Sequence, residues 1–300
     1  MKVKLLGKDK YAFAIAAPAK PDGTLYNPET APKLHSTGKL YKSLYVRHWD
    51  AYVTPNRNAI WYGTLSVSSS NLAKGSQYRL SSLVNALKGT GLESPIPPFG
   101  GGDHYDISPS GLIFVAKDPD LNPATNTKCN VYLLLSDFTE STASKPQRIA
   151  AEGFDGAKSS PVFSSDGKKA AFLSMRQNGY EADKNQIVVV TDLRKLDQVT
   201  HLLPSPDGHG KWDRSPSSVA WSCSDQVLYL LAEDVGHGCL WSLPSDTTKA
   251  TDLPEKVLDK GTITGMSLRE SRPNRMQCDW GAFRVPSAVI AYLGRSADDS

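Results

Sequence analysis

Three stretches of this chain repeat one pattern. Asp106–Lys117 reads DISPSGLIFVAK, Ser160–Ser174 reads SPVFSSDGKKAAFLS and Ser218–Glu233 reads SVAWSCSDQVLYLLAE. In each, an apolar or aromatic residue (Ile107, Phe163, Trp221) leads into a short polar turn, and a run of β-formers follows. The turns end on Gly111, Gly167 and Asp225, 56 and 58 residues apart. That interval holds the two strands of the pattern and leaves room for two more. Each period therefore predicts one four-stranded antiparallel blade, and blades at a fixed period predict an all-β, β-propeller fold. At the shorter spacing, 300 residues hold a little over five blades.

Composition restricts the partners more than the fold. Hydrophobic residues make up 39% and charged residues 22% of the chain, ordinary proportions for a packed domain. A formal net charge of +3, spread evenly along the sequence, argues against nucleic acid and against a membrane surface. The longest apolar runs, such as Val131–Leu135 and Val227–Ala232, are strand-sized and far shorter than a membrane span. Cys129, Cys223, Cys239 and Cys278 are scattered without C-x-x-C spacing. They fit disulfides in an exported protein better than a zinc cage, and their spacing does not pair them.

Along the chain, strands alternate with turns and almost nothing reads as helix. Met1–Leu6 is basic and then apolar, but Gly7-Lys8-Asp9-Lys10 ends the run after two leucines, too soon for a signal peptide. Tyr11–Ala17 reads as a strand entered from that turn, so the chain is expected to begin inside a blade. Pro18–Gly38 reads as a long loop. Leu44–Val53 and Ala59–Val67 read as the two strands of a hairpin around Thr54–Asn58. Pro95–Asp103 (PIPPFGGGD) reads as a connector. Its glycines lack the strand before and helix after that a phosphate cradle needs. Past about Gly265 the alternation fails, which divides the chain into a propeller segment over 1–265 and an undetermined tail over 266–300.

Several motifs then carry a family resemblance. PDGTLYN (Pro21–Asn27), LYVRHWDAY (Leu44–Tyr52), PPFGGGDHYD (Pro97–Asp106), GYEAD (Gly179–Asp183) and WDRSP (Trp212–Pro216) occur in the order expected of the propeller of fungal dipeptidyl-peptidase V. That family belongs to the prolyl-oligopeptidase-type serine peptidases, and the resemblance covers roughly residues 11–265. The repeat core is also similar to the short repeats of TolB-like propellers. The first resemblance implies a secreted, cofactor-free, two-domain enzyme. In it a propeller precedes an α/β-hydrolase domain with a Ser–Asp–His triad, and dipeptides are released from peptide N-termini.

This chain shows only the propeller side of that plan. A nucleophile elbow requires G-x-S-x-G, and none occurs in the sequence. His35, His48, His104, His201, His209 and His237 have no elbow to serve, so no catalytic or metal-binding residue is assigned. The expectation is a substrate-gating portion of such a peptidase, inactive alone and a fragment of it, incomplete as a ring. Peptides would be its partners only through the missing hydrolase domain. The alternative is a stand-alone TolB-like propeller that binds without chemistry. Tyr180, Glu181 and Asp183 are the candidate substrate-binding residues, because a partly buried peptide ammonium needs carboxylate partners. The plainer reading makes Glu181 and Asp183 solvated charges offsetting Lys184 and Arg176. Trp49-Asp50 and Trp212-Asp213, about three repeat periods apart, read as one structural device: an aromatic packed between sheets and a carboxylate tying a turn.

Overall fold

The fold is built from strands, and among the described residues there is no helix. The computed structural model describes residues 1–32, 35–67, 78–139, 143–246, 252–258, 262–269, 280–284 and 291–293; for 267–269, 280–284 and 291–293 only the backbone is described. The chain forms two compact units, Met1–Ile149 and Ala150–Ser300.

In the first unit, β1 (Lys2–Gly7) and β2 (Lys10–Ala19) join through a tight turn, with Asp9 at a φ of +60°. The strand read at Tyr11–Ala17 lies inside β2. β3 (Arg47–His48) and β4 (Ala51–Tyr52) form a small hairpin of their own. β5 (Arg57–Val67) pairs along the whole of β2, from Lys10↔Ser66 to Ala19↔Arg57. This corrects the expected hairpin between Leu44–Val53 and Ala59–Val67. A ten-residue ladder with β2 outweighs the short ladder that a local hairpin offers. β6 (Tyr78–Leu80) and β7 (Val84–Asn85) complete this sheet on the far side of β5. The second sheet holds β8 (Tyr105–Ser108), β9 (Gly111–Lys117), β10 (Cys129–Leu135) and β11 (Gln147–Ile149), ordered β11-β10-β9-β8.

The second unit repeats the plan. β12 (Lys158–Phe163), β13 (Ala170–Ser174), β14 (Gln186–Val190) and β15 (Val199–His201) make one antiparallel sheet in sequence order. β16 (Pro216–Trp221), β17 (Val227–Asp234), β18 (His237–Pro244) and β19 (Glu255–Leu258) make the next. Beyond them β20 (Gly265–Arg269), β21 (Trp280–Arg284) and β22 (Ala291–Leu293) form a three-stranded sheet. The four-stranded antiparallel sheets, with no closed barrel, are the propeller-like all-β architecture that the repeats predict.

Inner strands explain the sequence pattern. β9, β10, β13 and β14 are buried on both faces almost throughout, so they read as unbroken apolar runs rather than alternating ones. Each unit has one large core cluster, and the second has a smaller separate one around Leu231, Leu240 and Ile263. Ile60, Trp61 and Tyr62 of β5 pack with Ile107, Leu112 and Phe114. Leu173, Ile187 and Val189 pack with Trp221, Leu228 and Leu230. Full burial of one such side chain contributes about 1.5–3 kcal/mol.

The structure also explains why the repeat spacing reads as both 56 and 58. The register pairs are Ile107↔Leu112, Phe163↔Ala170 and Trp221↔Leu228. The second strands, aligned on Leu112, Ala170 and Leu228, recur every 58 residues. The first turn is two residues shorter than the others. There Gly111 opens β9 itself, whereas Gly167 and Asp225 sit within turns closed by Gly167 N–H to Ser164 C=O and Asp225 N–H to Ser222 C=O.

Candidate functional site

The predicted site residues lie on the connection from β13 to β14, residues 175–185. A second connection, from β15 to β16, runs beside it over residues 202–215. The two are laced by side chains that reach backbone. Arg176 donates through Nη1 to the Asp207 carbonyl at 2.9 Å and stands 3.3 Å from His209 Nε2. The Lys184 ammonium donates to the carbonyls of Gly210 (3.2 Å) and Trp212 (2.6 Å). Gln186 reaches the Gly208 carbonyl at 3.0 Å, and Asn185 reaches the Pro216 carbonyl at 3.0 Å.

Asp183 is the clamp of the first connection. Its Oδ2 accepts the backbone amides of Arg176 and Gln177, both at 2.9 Å, and its Oδ1 accepts that of Lys184 at 2.8 Å. The carboxylate is thereby committed to holding the ends of the loop together. Tyr180 and Glu181 sit at the exposed tip. Tyr180 is 51% exposed, and Glu181 has no side-chain partner among the described residues. The structure therefore brings Tyr180 and Glu181 to one protruding tip and places Asp183 at its base. Lys184 and Arg176 turn to backbone carbonyls, away from both carboxylates.

Beside this corner lies a small indentation lined by Lys184, Asn185, Ile187, Leu203, Trp212 and Arg214, among others. Its volume of about 20 Å³ is the space of one or two waters. Its apolar wall is Trp212, which is buried and meets Trp241 edge-on with centroids 5.3 Å apart. Its outer edge is an ion network that the sequence reading did not anticipate. Arg214 binds the Asp213 carboxylate at 2.7 Å and the Asp234 carboxylate at 2.5 Å, and Lys256 also binds Asp234 at 2.5 Å. Hydrogen bonds from Lys256 and Arg214 hold the Asp234 carboxyl below its ordinary range, and the bond to Asp234 raises Arg214. Only WDRSP hinted at this network. Asp234 and Lys256 come from β17 and β19 and carry no local signal.

The Trp-Asp equivalence fails. Trp212 is buried as expected, but Trp49 is 68% exposed and meets Phe99 edge-on. Asp213 pairs with Arg214 rather than tying a turn. Their local contexts differ: Trp212 enters a core with Trp241 waiting, and Trp49 is the tip of the β3–β4 hairpin. Among the described residues no helix is long and apolar enough to cross a membrane. No group of three His, Cys, Asp or Glu among them is arranged to hold a metal ion. Cys129 and Cys239 are buried, their thiols directed at the Thr127 and His237 carbonyls at 3.3 and 3.5 Å, and Cys223 is disulfide-bonded. Cys278 lies outside the described residues.

The fold and this corner define a propeller-like β protein of repeated four-stranded sheets. The chain is homologous to part of fungal dipeptidyl-peptidase 5. The Aspergillus niger protein named "Probable dipeptidyl-peptidase 5" is 38% identical over 260 residues, which is 84% of this chain and 34% of that protein. Dipeptidyl-peptidase 5 of Arthroderma otae is 34% identical over 264 residues (86% and 35%), and that of Aspergillus fumigatus is 35% identical over 257 residues (84% and 34%). The chain thus spans about a third of the length of the curated relatives it matches. No family model matches it. Likeness to solved structures is weak and supports no functional argument. The AtxE2 isopeptidase aligns over 94% of this chain and 37% of its own at 12% identity with a TM-score of 0.35. A family 117 glycoside hydrolase from Zobellia galactanivorans aligns over 62% and 66% at 10% identity with a TM-score of 0.33.

Proposed function

We propose that residues 1–265 are the substrate-gating propeller portion of a secreted dipeptidyl-peptidase 5-like serine peptidase. The catalytic Ser–Asp–His domain would lie outside these 300 residues. The observation that carries this reading is the 34–38% identity, over about 85% of the chain, to proteins named for dipeptide release. The absence of a G-x-S-x-G elbow from the sequence supports the division of labour, since an α/β-hydrolase nucleophile sits on such an elbow. In this reading the propeller limits access to short peptides. Glu181 and Tyr180 meet the free peptide ammonium, and Asp183 holds their loop.

Two measurements test it. Extract and culture medium of the source organism are treated with a fluorophosphonate probe for reactive serines and blotted for this region. A tagged band well above 32.6 kDa supports the reading. An untagged band at 32.6 kDa overturns it and favours a stand-alone, TolB-like binding propeller. The purified chain, offered dipeptidyl chromogenic substrates, is expected to release no product.

A further inference from the structure

The connection from β7 to β8 folds back on its own end through one imidazole. The Ile96 amide donates to Nδ1 of His104 at 3.1 Å, so the ring is neutral and carries its proton on Nε2. Asp103 Oδ2 lies 3.6 Å from that second nitrogen. The Gly100 amide donates to the Ile96 carbonyl at 2.8 Å. A Cβ at Gly100 would stand 2.5 Å from both that oxygen and His104 Nδ1. Ile96, Gly100 and the His104 ring therefore meet in one close-packed knot.

The anchors of this loop lie at its two ends. The Ser94 amide donates to the Asn58 carbonyl at 3.2 Å, and Asn58 Nδ2 donates to the Pro95 carbonyl at 3.0 Å. At the other end the His104 carbonyl accepts the Val115 amide at 3.0 Å. In between, Pro97 and Pro98 have no N–H to give, and Gly101 spends its amide on Asp103, within the loop, at 3.0 Å. Phe99 projects from this stretch, 75% exposed, and meets Trp49 edge-on with centroids 5.4 Å apart.

Protonation removes the acceptor at the knot. An imidazolium bears N–H on both nitrogens, so no rotation of the ring offers the Ile96 amide a lone pair. Two donors would then face each other, and Ile96 is buried, where an unmet donor is costly. Asp103 favours the cation, but burial of the ring opposes it more strongly, so the closed loop takes up a proton less readily than a free histidine does. Opening restores the ordinary affinity, and acid therefore favours the open loop. Other charges lie on the flanking elements. Glu93 accepts the Asn58 amide at 2.9 Å and feels Arg57, and Lys2 of β1 stands 3.8 Å from Asp106 of β8.

We propose that His104 is an acid-released latch: a proton taken from solvent onto Nδ1 frees the Ile96 amide, opens the loop over residues 96–104 and parts Phe99 from Trp49.

Hydrogen–deuterium exchange of the whole chain tests this, with rates referred to an unstructured peptide of residues 92–106 to remove the intrinsic effect of pH. Between pH 7.5 and 5 the protection of the Ile96 and Gly100 amides is expected to fall about five- to thirtyfold. That of Val131 and Leu133 in β10 should hold. His104→Asn keeps an acceptor that does not titrate, and should stay protected at both pH values. His104→Ala should lose protection at Ile96 and Gly100 at both, with β10 still protected as proof of folding. Glu93→Gln should retain the fall. Protection that ignores pH in the parent overturns the proposal, as does a fall that persists in His104→Asn. A fall shared by β10 overturns it in favour of general loss of stability. A fall abolished in Glu93→Gln overturns it in favour of that carboxyl.

Discussion

The Asp225 carboxylate accepts the backbone amide of Ser165, one blade away, at 2.6 Å, and its second oxygen accepts that of Asp166 at 3.1 Å. Asp225 occupies the turn place that Gly167 holds in the preceding repeat, at a φ of +56°. Aspartate is one of the few side chains that tolerates this conformation. Where Gly167 only makes the turn, Asp225 makes the turn and ties its blade to the one before. Ser165 adds a return bond from its hydroxyl to the Ser222 carbonyl at 3.4 Å.

Removing this tie should destabilise the second unit without altering its core. Asp225→Ala leaves two amides without their acceptor and places alanine at positive φ. Its expected cost is about 1–3 kcal/mol. Asp225→Asn keeps the turn and one acceptor oxygen and should cost less than half as much. Urea unfolding followed by tryptophan fluorescence measures both, and equal costs would show that one neutral acceptor oxygen does not sustain the tie to Ser165 and Asp166.

Gly111, in the first unit, and Gly153, in the second, offer a sharper contrast. A Cβ there would stand 2.2 Å from the Leu134 carbonyl oxygen, at a φ of +151° and against a β10 backbone that cannot retreat. At Gly153 the φ is +77° but the space is open. Gly153→Ala should cost about 1 kcal/mol, from conformation alone. Gly111→Ala should cost at least about 2 kcal/mol more, because strand pairing must shift. Comparable losses in the two variants, measured by thermal unfolding, would mean that the β9–β10 ladder yields easily.

Buried histidines make stability depend on pH in a defined direction. Burial lowers His104 below 6.5, against a smaller opposing effect of Asp103, and burial alone lowers His201. His104 Nδ1 accepts the Ile96 amide at 3.1 Å, and His201 packs on Phe154 at 3.8 Å. Between the ordinary value and the lowered one, the unfolded chain binds more protons than the folded chain. Stability must therefore fall as pH drops below about 6.5 and level off beneath the folded values. Burial raises Glu93 above 4.5, which acts in the opposite sense at more acidic pH. His104→Asn, which retains an acceptor for Ile96, should shrink the loss between pH 7.5 and 5.5. An unchanged slope would assign the proton uptake elsewhere.

What the sequence disclosed depended on how local each signal was. The blades were legible because turn residues and β-forming runs lie next to one another, as in Ser164–Ser174. The pairing of β5 with β2 was not, because it joins Arg57 to Ala19 across a long insertion that itself contains strand-like residues. The same dipeptide, Trp-Asp, is buried at Trp212 and exposed at Trp49, since burial is decided by Trp241 and Phe99 rather than by flanking residues. At the candidate site the GYEAD motif located the loop, but not the division of roles in it. That Asp183 serves the amides of Arg176 and Gln177 while Glu181 stays at the tip depends on how the loop closes.

That division yields the test of the proposed site. In a complete peptidase carrying this loop, Glu181→Gln removes a carboxylate from a peptide ammonium without disturbing the clamp. A charge-assisted hydrogen bond of about 1.5–3 kcal/mol corresponds to roughly a tenfold to hundredfold fall in kcat/KM. The fall should lie mainly in KM if the ammonium is held alike in substrate and transition state. Asp183→Ala acts differently: it frees the amides of Arg176 and Gln177 and lets the tip detach. It should lower kcat/KM and also increase proteolytic nicking between Gln177 and Ala182, whereas Glu181→Gln should leave nicking unchanged. Full activity in Glu181→Gln would place the ammonium site elsewhere. Loss in Asp183→Ala alone would reduce the loop to a structural one.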